Sequence, residues 1–377
     1  MGAETADLAQ ATGLAGWGLG ILPAALWLER HEGRAATSTR WYLNAWEWAA
    51  YRLTGEARTT RSLGQVLPDP GAAATTGLHA ERMPSVIEAG TVVGPLLPAA
   101  ATGLGLRPGI PVLAGMVDSF SSLHGAGLAA PGDAVDTGGT SGGLAVYWDS
   151  PPTVHGAWVA PAPLPDRWIV GGAMTATGKA LDWLADSVLG GIPVGELIGE
   201  AATIRPGADG LVFLPYLAGE RSPLWDPGAR GAFVGLNLAH TRAHLARAVL
   251  EAAALALRHV ATPIVAAGLR IDHLVVTGGT ARSDTWNQIK ADVLGVPVLV
   301  PAVRETAMLG AAILGSVEVG WHRDVRAAVA AMVRIDHRLE PDRALVTTYD
   351  ALFDAYVGLW PAIEPTVRQL RGMPGGA

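Results

Sequence analysis

The chain has 377 residues, which at about 100–200 residues per domain predicts two or three domains and room for more than one core. It is 50% hydrophobic and 16% charged, and 27 Lys and Arg against 34 Asp and Glu leave a net charge of −7; that balance excludes a disordered polyampholyte and a nucleic-acid binder. With no cysteine anywhere, a disulfide framework, a thiolate zinc site and a cysteine nucleophile are excluded together.

The first apolar stretch, Leu8 to Leu28, carries no charge, but Glu4 and Asp7 precede it where a signal peptide needs basic residues. Its glycines and Pro23 suit a loop feeding a helix rather than a membrane span, so a cytoplasmic protein with no membrane partner is expected. Apolar residues at three- and four-residue spacing predict helices over Pro23 to Arg30 and Trp41 to Leu53, the second stopped by Gly55. Ser62 to Gly77 reads as irregular, Pro111 to Ala114 as a short strand, and Ser119 to Leu128 as a helix. Val135 to Trp148 reads as strand, glycine turn and strand, Arg167 to Val170 as a strand, and Gly178 to Leu189 as a helix. After a strand at Leu211 to Leu214, a long core helix is predicted from Arg242 to Ala267, with Thr241 as N-cap and Gly268 as stop. Ile271 to Val276, Asp284 to Leu294 and Val296 to Val300 form a strand–helix–strand unit, the mark of an α/β fold. A last helix, Asp342 to Leu370, is expected to break at Pro361 and Pro365.

One quartet occurs twice, Thr137-Gly138-Gly139-Thr140 and Thr277-Gly278-Gly279-Thr280, each time at the end of an apolar segment. Glycine after a strand lets backbone N–H groups approach a phosphate, and Thr140, Ser141 and Ser283 can add hydroxyl donors; tight turns without a ligand are the other reading. Gly139 to Gly143 also matches the Gly-x-Ser-x-Gly elbow of hydrolases, but the alternating residues after Ser141 predict a strand where an elbow needs a helix. Asp118 lies just beyond a strand end, where α/β folds place their sites, or serves as an ordinary helix-start residue. Lys179, at a helix start, either reaches a phosphate or is solvated. Glu220, Arg221 and Asp226 read better as a buried ion-paired loop than as ligand contacts. The ten His residues include one i, i+4 pair, His240 and His244, but no Glu-flanked cluster, so no metal ligand is assigned.

Taken in order, these blocks resemble the FGGY family of carbohydrate kinases, in its xylulokinase-like branch. They include Tyr51-Arg52-Leu53-Thr54-Gly55, Gly109-Ile110-Pro111-Val112 leading to Asp118, Thr140-Ser141-Gly142, Leu214-Pro215-Tyr216 through Ser222-Pro223, Gly278-Gly279 with Trp286, and Leu309-Gly310-Ala311-Ala312. The resemblance implies an α/β fold of two actin-like, ribonuclease H-like domains flanking a cleft, here residues 1–130 on the sugar side and 131–377 on the nucleotide side. It implies ATP with Mg²⁺ as cofactors, a small sugar or polyol as substrate, and a homodimer as one possible assembly. Asp118 matches the family's general base. Gly139, Thr140 and Ser141 match a phosphate-binding turn, Gly278, Gly279 and Ser283 the adenosine-side turn, and Gly178 and Lys179 the nucleotide pocket. Ser119, Ala252 and Thr280 stand where relatives often carry Asn, Gly and Gly. The family's pattern opens with a hairpin bearing an Asp-x-Gly-Thr phosphate motif, and this sequence enters the pattern partway through the first domain. A first domain truncated at its N-terminus is therefore expected, with a catalytically impaired homologue that only binds nucleotide or a partner as the alternative to an active kinase.

Overall fold

The computed structural model describes residues 2–12, 20–60, 75–139, 141–164 and 166–373. The chain divides into two units. Unit 1 comprises Met1–His124, Pro161–Pro165 and Ala307–Ala331; unit 2 comprises Gly125–Ala160, Asp166–Thr306 and Met332–Ala377. The return of Ala307–Ala331 to unit 1 leaves no sign in the local sequence pattern.

Unit 1 opens with helices Gly2–Thr12, Leu22–His31, Gly33–Ser38 and Ala45–Thr54. The loop expected from Leu8 onward is thus helical as far as Thr12, and Leu8 is fully buried with Leu22, Leu26, Tyr42 and Leu78. The second predicted helix begins at Ala45 rather than Trp41, because the Asn44 N–H donates to Glu47 Oε2 at 2.8 Å and fixes the first turn there. Gly55, at φ 81°, closes it as expected. Strands β1 (Arg58–Thr60) and β2 (Ser85–Ile87) pair in parallel, and β3 (Val92–Pro95) pairs antiparallel with β4 (Pro111–Leu113). Helix Asp118–Gly125 follows, ending sooner than the predicted Leu128. Ser121 Oγ donates to the Ala307 carbonyl at 2.7 Å, which brings helix Thr306–Glu318 into the unit.

His124 in this helix is completely buried, and neither ring nitrogen has a partner among the described residues. Burial pushes its imidazole down to about 4. The unfolded chain therefore binds a proton that the folded one rejects between pH 6.5 and 4, so stability present above this window is lost as pH falls through it. From pH 7 to pH 5 the wild type is expected to lose about 2 kcal/mol more than His124→Phe in urea titrations. Parallel pH profiles for the two proteins would refute this.

Unit 2 is built on a seven-stranded sheet in the order β13-β12-β11-β5-β6-β8-β7. The strands are β5 (Asp133–Asp136), β6 (Gly142–Trp148), β7 (Trp158–Pro161), β8 (Trp168–Met174), β11 (His273–Val276), β12 (Val298–Pro301) and β13 (Ile335–Leu339), with a separate antiparallel pair β9 (Val212–Leu214) and β10 (Ala232–Val234). The middle trio β12, β11 and β5 is parallel, while β6 and β8 fold back antiparallel. Helix Arg242–Ala266 supplies the core, burying Val249, Leu250, Leu255, Leu257 and Val260. It is long and apolar enough to cross a membrane, but 72% of its most apolar stretch is buried inside the protein. The tail helix runs unbroken from Val346 to Arg371 through Pro361 and Pro365. Both prolines lie on the exposed face, four residues apart, where the carbonyls they leave without a donor are open to solvation, so the helix tolerates them.

Candidate functional site

The two Thr-Gly-Gly-Thr turns leave the same edge of the sheet. In the parallel pair β5 and β11, Asp136 lies opposite Val276, so Thr137 and Thr277 emerge side by side at strand carboxyl ends, where α/β sheets form crevices. Thr277 donates to the Asp136 carbonyl from its N–H at 3.0 Å and from Oγ1 at 3.1 Å. The turns then pack face to face. Gly278 sits at φ 68° and ψ −157°, and a β-carbon there would strike the Gly138 carbonyl oxygen, while one on Gly138 would strike Thr280 Oγ1. Only glycine satisfies both positions.

A third segment joins them. The Gly178 N–H donates to the Gly139 carbonyl at 3.0 Å, seating the start of helix Gly178–Trp183 on the first turn. That helix passes at Leu184–Val188 into a π turn. Gly139, Gly178 and Gly279 converge on a cavity of about 690 Å³, whose other walls include Leu181, Ile198 and Trp286. Its lining combines glycine backbone with apolar side chains, which suits a molecule with both an anionic and a flat apolar part.

Of the remaining expected residues, Ser283 lines the cavity and its Oγ accepts from the Trp286 N–H at 3.2 Å, capping helix Asp284–Leu294. Gly278, Ser141 and Lys179 are exposed and do not line the cavity, and Thr140 lies outside the described residues. Ser141 leads directly into β6, which returns antiparallel along β5; the hydrolase elbow is excluded by this hairpin topology. Asp118 belongs to unit 1. The Gly90 N–H donates to the Ala114 carbonyl at 2.8 Å and Thr60 Oγ1 to the Gly115 carbonyl at 3.0 Å, fixing the segment before it. Its own carboxylate is exposed and accepts from the Ser119 N–H at 2.7 Å.

The loop after β9 is structural, and ion-paired through Asp226 and Arg368, while Glu220 and Arg221 bind backbone groups. Buried Glu220 accepts from the Thr175 and Arg221 N–H groups at 2.8 and 2.7 Å, Arg221 donates to the Met174 carbonyl, and Asp226 accepts from Arg368 at 3.4 Å. Burial raises the Glu220 carboxyl above its ordinary value. Among the described residues no group of three or more His, Asp or Glu is arranged to hold a metal ion.

Two residues escaped sequence reasoning. Lys290 Nζ lies 2.6 Å from Asp136 Oδ2 and donates to Thr280 Oγ1 at 3.0 Å, all three being buried. The available signals were an aspartate ending an apolar strand and a lysine in a chain that has only Lys179 and Lys290.

Residues 134–319 match the FGGY family of carbohydrate kinases, C-terminal domain. The chain is 32% identical to the gluconokinase of Bacillus licheniformis over 80% of its own length and 61% of that protein's, so it spans less than two thirds of that relative. Among solved structures, xylulose kinase from Rhodospirillum rubrum is 30% identical with a TM-score of 0.83, covering 97% of this chain and 78% of that one. Plasmodium falciparum glycerol kinase with ADP shares the fold at a TM-score of 0.79 and 18% identity, over 94% of this chain and 74% of that one.

Proposed function

The chain belongs to the FGGY family of carbohydrate kinases, and from that premise we propose that it transfers the γ-phosphoryl group of ATP to a hydroxyl of a small sugar or polyol. The observation that carries this reading is the convergence of Gly139, Gly178 and Gly279 on one cavity. Turns without side chains let phosphate oxygens approach the backbone, although the Gly139 and Gly178 N–H groups already donate to the Ser141 and Gly139 carbonyls, and the wall of Leu181, Ile198 and Trp286 suits a base. Phosphoryl transfer asks a protein chiefly to position reactants and neutralise charge. In this reading the turns around Gly139 and Gly279 hold the nucleotide, and Asp118, exposed at the start of its helix, accepts the proton of the attacking hydroxyl. Mg²⁺, when bound, neutralises phosphate charge; it keeps several waters and asks few protein ligands.

The sugars named for the relatives, gluconate, xylulose and glycerol, define the first panel. ADP release on mixing the 377-residue chain with MgATP and each of them is the expected result. Binding of ATP by calorimetry without turnover on a wide panel would replace this reading with that of a homologue that only holds nucleotide. Neither binding nor turnover would overturn both.

A further inference from the structure

We propose that Lys290 is a positioning residue that clamps the two glycine turns into one phosphate-holding surface. This rests on the reading of the cavity as a nucleotide site. The ammonium spans Asp136 Oδ2 at 2.6 Å, on the strand that delivers the first turn, and Thr280 Oγ1 at 3.0 Å, on the second turn. It also faces the Trp286 ring at 5.5 Å, within cation–π range. Thr280 and Trp286 both line the cavity, whereas Lys290, 3% exposed, does not. Lys290 therefore acts on a ligand through its neighbours.

Three features argue that the arrangement does more than fill space. A buried ion pair is a poor source of stability, because desolvation offsets the attraction. Arginine supplies the other 25 of the 27 basic residues, yet lysine stands here, and a compact tetrahedral ammonium can serve a carboxylate, a hydroxyl and a ring face that a planar guanidinium cannot reach together. The ammonium has no lone pair, so Thr280 Oγ1 must accept from it. The hydroxyl's own hydrogen is thus left as a donor, and among the described residues no protein acceptor takes it. Thr280 Oγ1 in turn lies against Gly138, so the position of the first turn is read directly from Lys290.

The test compares wild type with Asp136→Asn/Lys290→Met, which removes both charges and leaves neither buried alone, and with Thr280→Val. Amide hydrogen exchange at residues 137–139 and 277–280 is expected to rise at both turns together in the double variant. Its calorimetric affinity for ADP should fall roughly tenfold, and KM for ATP should rise while KM for the sugar stays unchanged, a split that general loosening of the fold would not produce. Thr280→Val should reproduce the loss of ADP affinity. Unaltered exchange and ADP affinity in a folded double variant overturn the proposal. If wild type binds no ADP, the nucleotide reading fails by itself, and the exchange data still decide the clamp. If the double variant does not fold, Lys290→Arg decides it instead: exchange raised at both turns supports the clamp, and wild-type exchange overturns it.

Discussion

Replacing Gly278 with alanine is expected to destabilise the protein by about 4 kcal/mol and to abolish nucleotide binding. Two costs add. The residue sits at φ 68° and ψ −157°, a conformation that a β-carbon strains, and the new atom would overlap the Gly138 carbonyl oxygen, which belongs to the facing turn and cannot swing aside like a side chain. The neighbouring Gly279→Ala is the control. A β-carbon there meets no atom within 4 Å, so a change within about 0.5 kcal/mol is expected. Urea unfolding of both variants checks the contrast, and equal midpoints would show that the turns are not locked together as described.

Asp118→Asn should lower kcat about a thousandfold, the order of magnitude lost when a general base is removed, with the melting temperature and both KM values near wild type. The fold should tolerate the change because the carboxylate is exposed and its bond is to the adjacent Ser119 N–H at 2.7 Å, which an amide oxygen can accept equally well. Steady-state kinetics with a sugar that supports turnover provide the measurement. Undiminished kcat would remove Asp118 from the reaction.

Local signals were read well where one residue dominates the local energetics. Thr241 and Gly268 bracket helix Arg242–Ala266 almost to the residue, and Gly55 ends its helix with a positive φ. The duplicated quartets gave away both turns, since Gly278 needs a positive φ and Gly138 has no room for a side chain. The misses follow from context. Helix Gly2–Thr12 is rich in small residues and, among its apolar side chains, fully buries only Leu8 in the described residues, with the polar Glu4 buried beside it, so it carries no strong apolar periodicity. Pro361 and Pro365 predict a break from local sterics, which exposure of their face makes tolerable. Asp136 and Lys290 meet only because β5 pairs with β11 and the following helix lies beneath the turns, a contact that no window of sequence contains.

The return of Ala307–Ala331 to unit 1 governs the order in which the protein can be made. Helix Thr306–Glu318 reaches back to the helix at Asp118, where Gly310 packs without a side chain against the Ser121 carbonyl and Leu314 lies over Gly90. A ribosome must therefore translate most of unit 2, Gly125–Ala160 and Asp166–Thr306, before it delivers the segment that completes unit 1. At about 5–20 residues per second, the earlier part of unit 1 waits some ten seconds or more with that face open. It is in this interval, rather than in the finished protein, that a chaperone would find its substrate, and fragments ending before residue 307 should stay bound to one.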